Sequence, residues 1–150
     1  MGTRVTFASN GETCEGYLAT PQSGHGPAVI VVQEWWGLVP HIEDVTDRFA
    51  ASGFVAMAPD FFHGISTTEP DEARRLLMSL AMDRAATDLS GAADYLGGRD
   101  DVDSPGIGAV GFCMGGSLSL WSATLAPNIV AAVGFYPAIP WHTMSPDWSG

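Results

Sequence analysis

Two spacings organise the apolar positions of this chain. From Arg4 to Phe7, and again from Cys14 to Thr20, polar and apolar residues alternate; Ser9-Asn10-Gly11 lies between, as in a β-hairpin. After a Gly/Pro/Ser loop from Pro21 to Pro27, Ala28 to Val32 is an unbroken apolar run, expected of a strand buried on both faces. Ile42, Val45 and Phe49 then recur three and four apart, predicting a helix that begins at His41 and stops at Gly53. Phe54 to Ala58 reads as a second buried strand closed by Pro59-Asp60, followed by a loop from Phe61 to Thr68. Pro70 opens a helix over Asp71 to Ala81. Asp83 is placed to cap the next helix, in which Leu89, Ala92, Ala93 and Leu96 share a face and Gly97-Gly98 ends the run. Ile107 to Val110 is a short strand, Gly115 to Ala126 a helix, and Val130 to Phe135 a last strand.

Strands alternating with helices require a mostly parallel sheet with helices on both faces, here with an antiparallel hairpin at its start. Such α/β sheets hold ligands at the carboxyl ends of their strands. Those ends carry Glu34, Asp60 and Cys113. With 150 residues, 46% of them hydrophobic and 15% charged, the chain reads as one globular α/β domain over residues 1–150. A net charge of −11, with only six Lys and Arg, argues against a nucleic-acid partner. Cys14 and Cys113 lie far apart in sequence and form no zinc-type spacing, so neither a metal nor a disulfide is expected. No leader peptide and no run long enough to cross a bilayer is visible, so the expectation is a cytoplasmic protein with no membrane contact.

The sharpest local motif is Gly111-Phe112-Cys113-Met114-Gly115-Gly116, set between a predicted strand and a predicted helix. A nucleophile elbow has this form, G-x-S-x-G with cysteine in the serine position. The turn is so tight that the residues two before and two after the nucleophile must lack side chains, and Gly111 and Gly115 do. Gly116 lets the helix start close to the sheet. The elbow aims the sulfur outward at a helix N-terminus, where the helix dipole favours a thiolate. Acyl transfer at such a site needs two backbone N–H donors aimed at the developing oxyanion, which this architecture draws from Met114 and Trp35. Glu34, directly after a buried strand, reads in two ways: a solvated loop carboxylate, or a partner that controls protonation of the thiol. Trp36, Phe61, Phe62, Phe112 and Tyr136 could wall an apolar pocket. Asp60 reads as a turn former, His25 and His41 as loop or helix-entry residues, His63 as a surface residue, and Cys14 as structural.

Taken together, Val31 to Leu38, His41 to Arg48, Ala58-Pro59-Asp60 and Gly111 to Gly116 resemble the dienelactone hydrolase family of the α/β-hydrolase superfamily. The resemblance runs from about residue 3 to about residue 141. It implies a cofactor-free hydrolase of small carboxylic esters or lactones, in which Cys113 forms an acyl-enzyme and Glu34 partners the resting thiol. It also implies an arginine for a substrate carboxylate; Arg74 and Arg75 lie near that position, and Arg75 is the candidate.

One part of the pattern departs. A nucleophile elbow needs an acid and then a histidine later in the chain. Here His142 precedes Asp147, and both lie in a Pro/Ser/Trp-rich stretch from Pro140 to Gly150. Val130 to Phe135 would also be an uncovered sheet edge. The expectation is therefore a C-terminally shortened domain lacking its last strands and helices and the triad Asp and His. The alternative is a non-catalytic fragment that self-associates through that edge. A redox role for Cys113 finds no resolving cysteine nearby.

Overall fold

A computed structural model describes residues 1–138, so His142 and Asp147 lie outside the described residues. Strands β1 (Thr3–Ser9) and β2 (Glu12–Ala19) form the expected hairpin. Asn10 and Gly11 take φ of 46° and 83°, the left-handed pair that a two-residue turn needs to match strand twist. Strand β3 (Gly26–Val32), helix α1 (Pro40–Ala51) and strand β4 (Val55–Pro59) follow, then helices α2 (Pro70–Met78) and α3 (Met82–Gly97). Strand β5 (Val102–Phe112), helix α4 (Met114–Leu125) and strand β6 (Ile129–Phe135) complete the described elements.

The six strands lie in the order β1-β2-β4-β3-β5-β6. The β1–β2 and β2–β4 pairs are antiparallel, and β3 pairs in parallel with β4 and β5, as does β5 with β6. Period-two alternation sorts the buried side chains onto two faces. Ala28, Ile30 and Val32 of β3, with Val55 and Met57 of β4, join the core beneath α3 and α4. Val29, Val31, Ala56 and Ala58 join the opposite core beneath α1, packed by Ile42, Val45 and Ala50. Fully buried Leu89 and Leu96 pin α3 to its face, each stabilising by about 1.5–3 kcal/mol.

Three expectations need correction. The helix expected through Ala81 ends at Met78. Asp83 does not cap α3: the N-cap is Ala81, with no side-chain cap bond, and Asp83 sits in the first turn, where its charge complements the helix dipole. The strand expected over Ile107–Val110 begins five residues earlier, at Val102. Its pairing jumps from Gly26↔Val102 to Ala28↔Ile107, so Asp103 to Gly106 bulge out where Pro105 cannot donate to the ladder. Among the described residues β6 is a terminal strand of the sheet, with Val130 and Phe135 exposed. No helix of the described residues is long and apolar enough to cross a membrane.

Candidate active site

Parallel pairing aligns the strand ends. Val32 faces Gly111 across β3–β5, and Phe112 faces Phe135 across β5–β6. Glu34, Cys113 and Tyr136 therefore leave the carboxyl ends of adjacent strands, where open α/β sheets bind ligands. The Tyr136 hydroxyl donates to Glu34 Oε1 at 2.9 Å. Desolvation of the phenol, then the Glu34 carboxylate and the nearby Cys113, push Tyr136 up to about 12. Tyr136 thus stays a neutral donor through the physiological range.

Cys113 caps α4 with φ 55° and ψ −121°, a conformation that L residues other than glycine rarely adopt. Its N–H donates to Phe135 O at 3.0 Å, and its carbonyl accepts from Gly116 N at 3.0 Å and Ala138 N at 3.1 Å. The turn is clamped to the end of β6 on both sides. The glycine requirement is steric and severe. A Cβ at Gly111 would stand 1.9 Å from Gly115 O, and one at Gly115 would stand 2.3 Å from Val32 O and 2.4 Å from Gln33 O. At Gly116 it would meet Phe135 O at 2.8 Å. No side chain fits at Gly111 or Gly115 unless the backbone moves. Ser119, fully buried, closes the packing with its one hydroxyl proton shared between Gly116 O and Val133 O, 2.9 and 3.0 Å from Oγ.

Met114 is the first residue of α4, so its N–H belongs to the unpaired helix N-terminus. Trp35 lies in the turn after β3, its ring edge-on to Trp36 at 5.2 Å, and no acceptor among the described residues takes its N–H. Fully buried Gln33 accepts from Phe61 N at 3.4 Å, tying the end of β3 to the loop after β4. Asp60 is the turn former expected: its carboxylate accepts from Phe62 N and Gly64 N at 3.1 and 2.7 Å.

The residues suggested as pocket walls do not share one pocket. Phe112 and Tyr136, with Phe135 stacked on Phe112 at 5.3 Å, line a groove of about 460 Å³ against α1. His41, expected only to open a helix, lines the same groove, a placement its sequence neighbours do not reveal. Trp36 falls in a separate depression with Val39, Thr67 and Thr68. Arg75 is exposed on α2, paired with Glu72, and shares no cavity with Phe112 or Tyr136.

A strand–elbow–helix unit with glycines on both flanks, on a mostly parallel sheet led by an antiparallel hairpin, defines an α/β-hydrolase fold. The dienelactone hydrolase family profile matches residues 14–148, and the chain belongs to that family. Protein usf of Aquifex pyrophilus is 41% identical over 143 residues, covering 91% of this chain and 62% of that protein. A carboxymethylenebutenolidase homolog of Xenopus tropicalis is 28% identical, covering 93% of this chain and 60% of its own length. A crystal structure described as "Putative Dienelactone Hydrolase" from Klebsiella pneumoniae superposes with TM-score 0.83 at 27% identity, covering 97% of this chain and 63% of that one. The chain spans about three fifths of the length of the relatives it matches.

Proposed function

We propose that this chain carries the acylating half of a hydrolase for small carboxylic esters or lactones, with Cys113 as nucleophile. The observation that supports it most is the strained Cys113 backbone, held by glycines at which no Cβ fits. A fold accepts such strain, about 1–3 kcal/mol, chiefly where a side chain must be presented. In the proposed step the Cys113 sulfur, as thiolate, adds to the substrate carbonyl carbon and the carbonyl oxygen becomes an oxyanion. The N–H groups of Trp35 and Met114 receive that oxyanion, helped by the positive end of α4. Collapse breaks the C–O bond, the leaving alkoxide takes a proton, and a thioester remains. Water then releases the carboxylic acid and regenerates the thiol.

Glu34 is assigned as the acceptor of the thiol proton, positioned by its bond from Tyr136. Among the described residues, the strand ends flanking Cys113 carry Glu34 and Tyr136 and no histidine. Deacylation is therefore proposed to be slow in this chain, since a well-placed general base contributes roughly 10²–10⁴-fold. The names borne by the relatives favour a lactone or ester substrate. The test is intact-mass spectrometry after treatment with a small activated ester, with Cys113→Ala as control. A long-lived adduct of one acyl group, absent from the control, is expected. An unmodified Cys113 in the folded chain would sink the proposal.

A second reading draws on β6, where Val130, Val133 and Phe135 stand exposed on a terminal strand of the described sheet. Such a strand can pair with another copy. Light scattering that gives a monomer at high protein concentration would rule this reading out.

A further inference from the structure

The other cysteine sits in a cluster that the ester chemistry does not use. Cys14 of β2, His63 of the turn after β4, and Asp88 of α3 each bring one ligand atom to within 4.8 Å of the others. Cys14 is 1% exposed and Asp88 fully buried, whereas the His63 side chain is 36% exposed. The two Asp88 oxygens differ. Oδ1 accepts from Ser9 Oγ at 2.5 Å and from Arg84 Nε at 3.2 Å. Oδ2 lies 3.0 Å from His63 Nε2, yet makes no hydrogen bond. The ring nitrogen and the carboxylate oxygen are close without being aimed at each other. A buried carboxylate oxygen left in this way is costly unless something else completes it.

Two groups that both point at a third atom have this relationship. Nitrogen and oxygen ligands on one tetrahedral zinc stand roughly 3.3 Å apart, and a sulfur stands roughly 3.6 Å from either. The His63–Asp88 pair at 3.0 Å would open slightly, and the Cys14 sulfur, within 4.8 Å of both, would move in to reach those values. The donor set, one thiol, one imidazole and one carboxylate, suits zinc and the divalent metals near it in softness. Charge also balances: a thiolate and a carboxylate neutralise a divalent cation, which makes burial tolerable. Arg84 is the opposing charge on this face, and Glu12 pairs with it. Without a cation, burial first and Asp88 second hold the Cys14 thiol far above the usual cysteine range.

We propose that Cys14, His63 and Asp88 form a site for one zinc-class divalent cation, clamping the β1–β2 hairpin, the turn after β4 and α3 together. Binding forms one S–metal bond at Cys14, whose proton passes to solvent. The lone pair of neutral His63 and the Asp88 Oδ2 supply two further bonds. A water fills the fourth position from the side where His63 is exposed, beside a cavity of about 210 Å³ lined by Phe62, Leu80 and Arg84.

The test titrates cobalt(II), then zinc, into the chelator-treated full chain. One equivalent of cobalt should give a thiolate-to-metal charge-transfer band, zinc should abolish it, and one proton should be released per thiolate bound. His63→Ala, changed at a part-exposed turn, should fold and lose at least 10-fold in affinity, since even outer-shell partners are worth about 10–100-fold. Cys14→Ser should lose the band, and Cys113→Ser should keep it. The proposal is overturned if the unaltered chain gives no band at stoichiometric metal. It is equally overturned if Cys113→Ser removes the band or His63→Ala leaves the affinity unchanged.

Discussion

Both cysteines of this chain are free thiols on one sheet, yet their surroundings differ in every respect that governs reactivity. Cys113 stands at the end of β5, half-buried, on a strained turn at a helix N-terminus, fixed by backbone bonds from β6. Cys14 lies within β2 in ordinary strand geometry, 1% exposed, its sulfur near the carbonyls of Glu15 and Asp60. One region stores strain to present a side chain. The other hides one among groups that disfavour its charge. The lesson is that a cysteine's chemistry is set by backbone and burial before any neighbour is named.

The comparison breaks most violently at the elbow glycines. Gly115→Ala would drive a Cβ to 2.3 Å from one backbone carbonyl oxygen and 2.4 Å from another, neither of which can rotate away. We expect a loss of at least about 3 kcal/mol, or no folded protein, by urea unfolding. An alanine variant with wild-type stability would mean that β5 and α4 do not pack as described.

The next largest effect is kinetic. Alkylation by a small neutral thiol reagent, followed by peptide mapping, should modify Cys113 at least about 100-fold faster than Cys14 in the folded, metal-free chain. Cys14 becomes accessible only through local opening of the hairpin. In denaturant the ratio should collapse toward one. Comparable rates in the folded state would show that Cys14 is not shielded.

Legibility in the sequence divides along the same line. The elbow was readable because its requirement is local: glycines two residues either side of Cys113, between a strand pattern and a helix pattern. The hairpin was readable at Asn10-Gly11 for the same reason. The Cys14–His63–Asp88 cluster was not, because its members come from β2, a turn and α3, and no spacing links residues 14, 63 and 88. The bond from Tyr136 to Glu34 spans 102 residues and follows only from the parallel register. Pro105 and Gly106 disguised the start of β5, which crosses them by a bulge. The short linker Ser79–Ala81 lies inside a helix-compatible run, so the break between α2 and α3 was read but the end of α2 was placed at Ala81 instead of Met78.

A smaller stability change sharpens the contrast between the cysteines. Cys113→Gly relieves backbone strain of about 1–3 kcal/mol, partly offset by about 0.5–1 kcal/mol of extra unfolded-chain entropy. The net expectation is stabilisation by about 1 kcal/mol with complete loss of the ester adduct. Cys14→Gly, inside a strand at φ values any residue accepts, should destabilise instead. Opposite signs in paired melts would establish that the backbone is strained at Cys113 and not at Cys14.

The smallest predicted effect concerns Tyr136→Phe. Tyr136 is 64% exposed as a residue, so removing its bond to Glu34 should cost well under 1 kcal/mol near neutral pH. The sign with pH is nevertheless defined. Tyr136 is raised to about 12 in the folded chain, against about 10 when unfolded. Its contribution is therefore complete below pH 10 and disappears as pH rises through 10 to 12, because the unfolded chain releases the proton first. Acylation should respond more than stability, because a Glu34 carboxylate no longer held by Tyr136 samples orientations away from Cys113. A few-fold slower adduct formation is expected, with the melting temperature almost unchanged. If the variant acylates at the wild-type rate, Tyr136 does not position Glu34, and the carboxylate acts without it or plays no part.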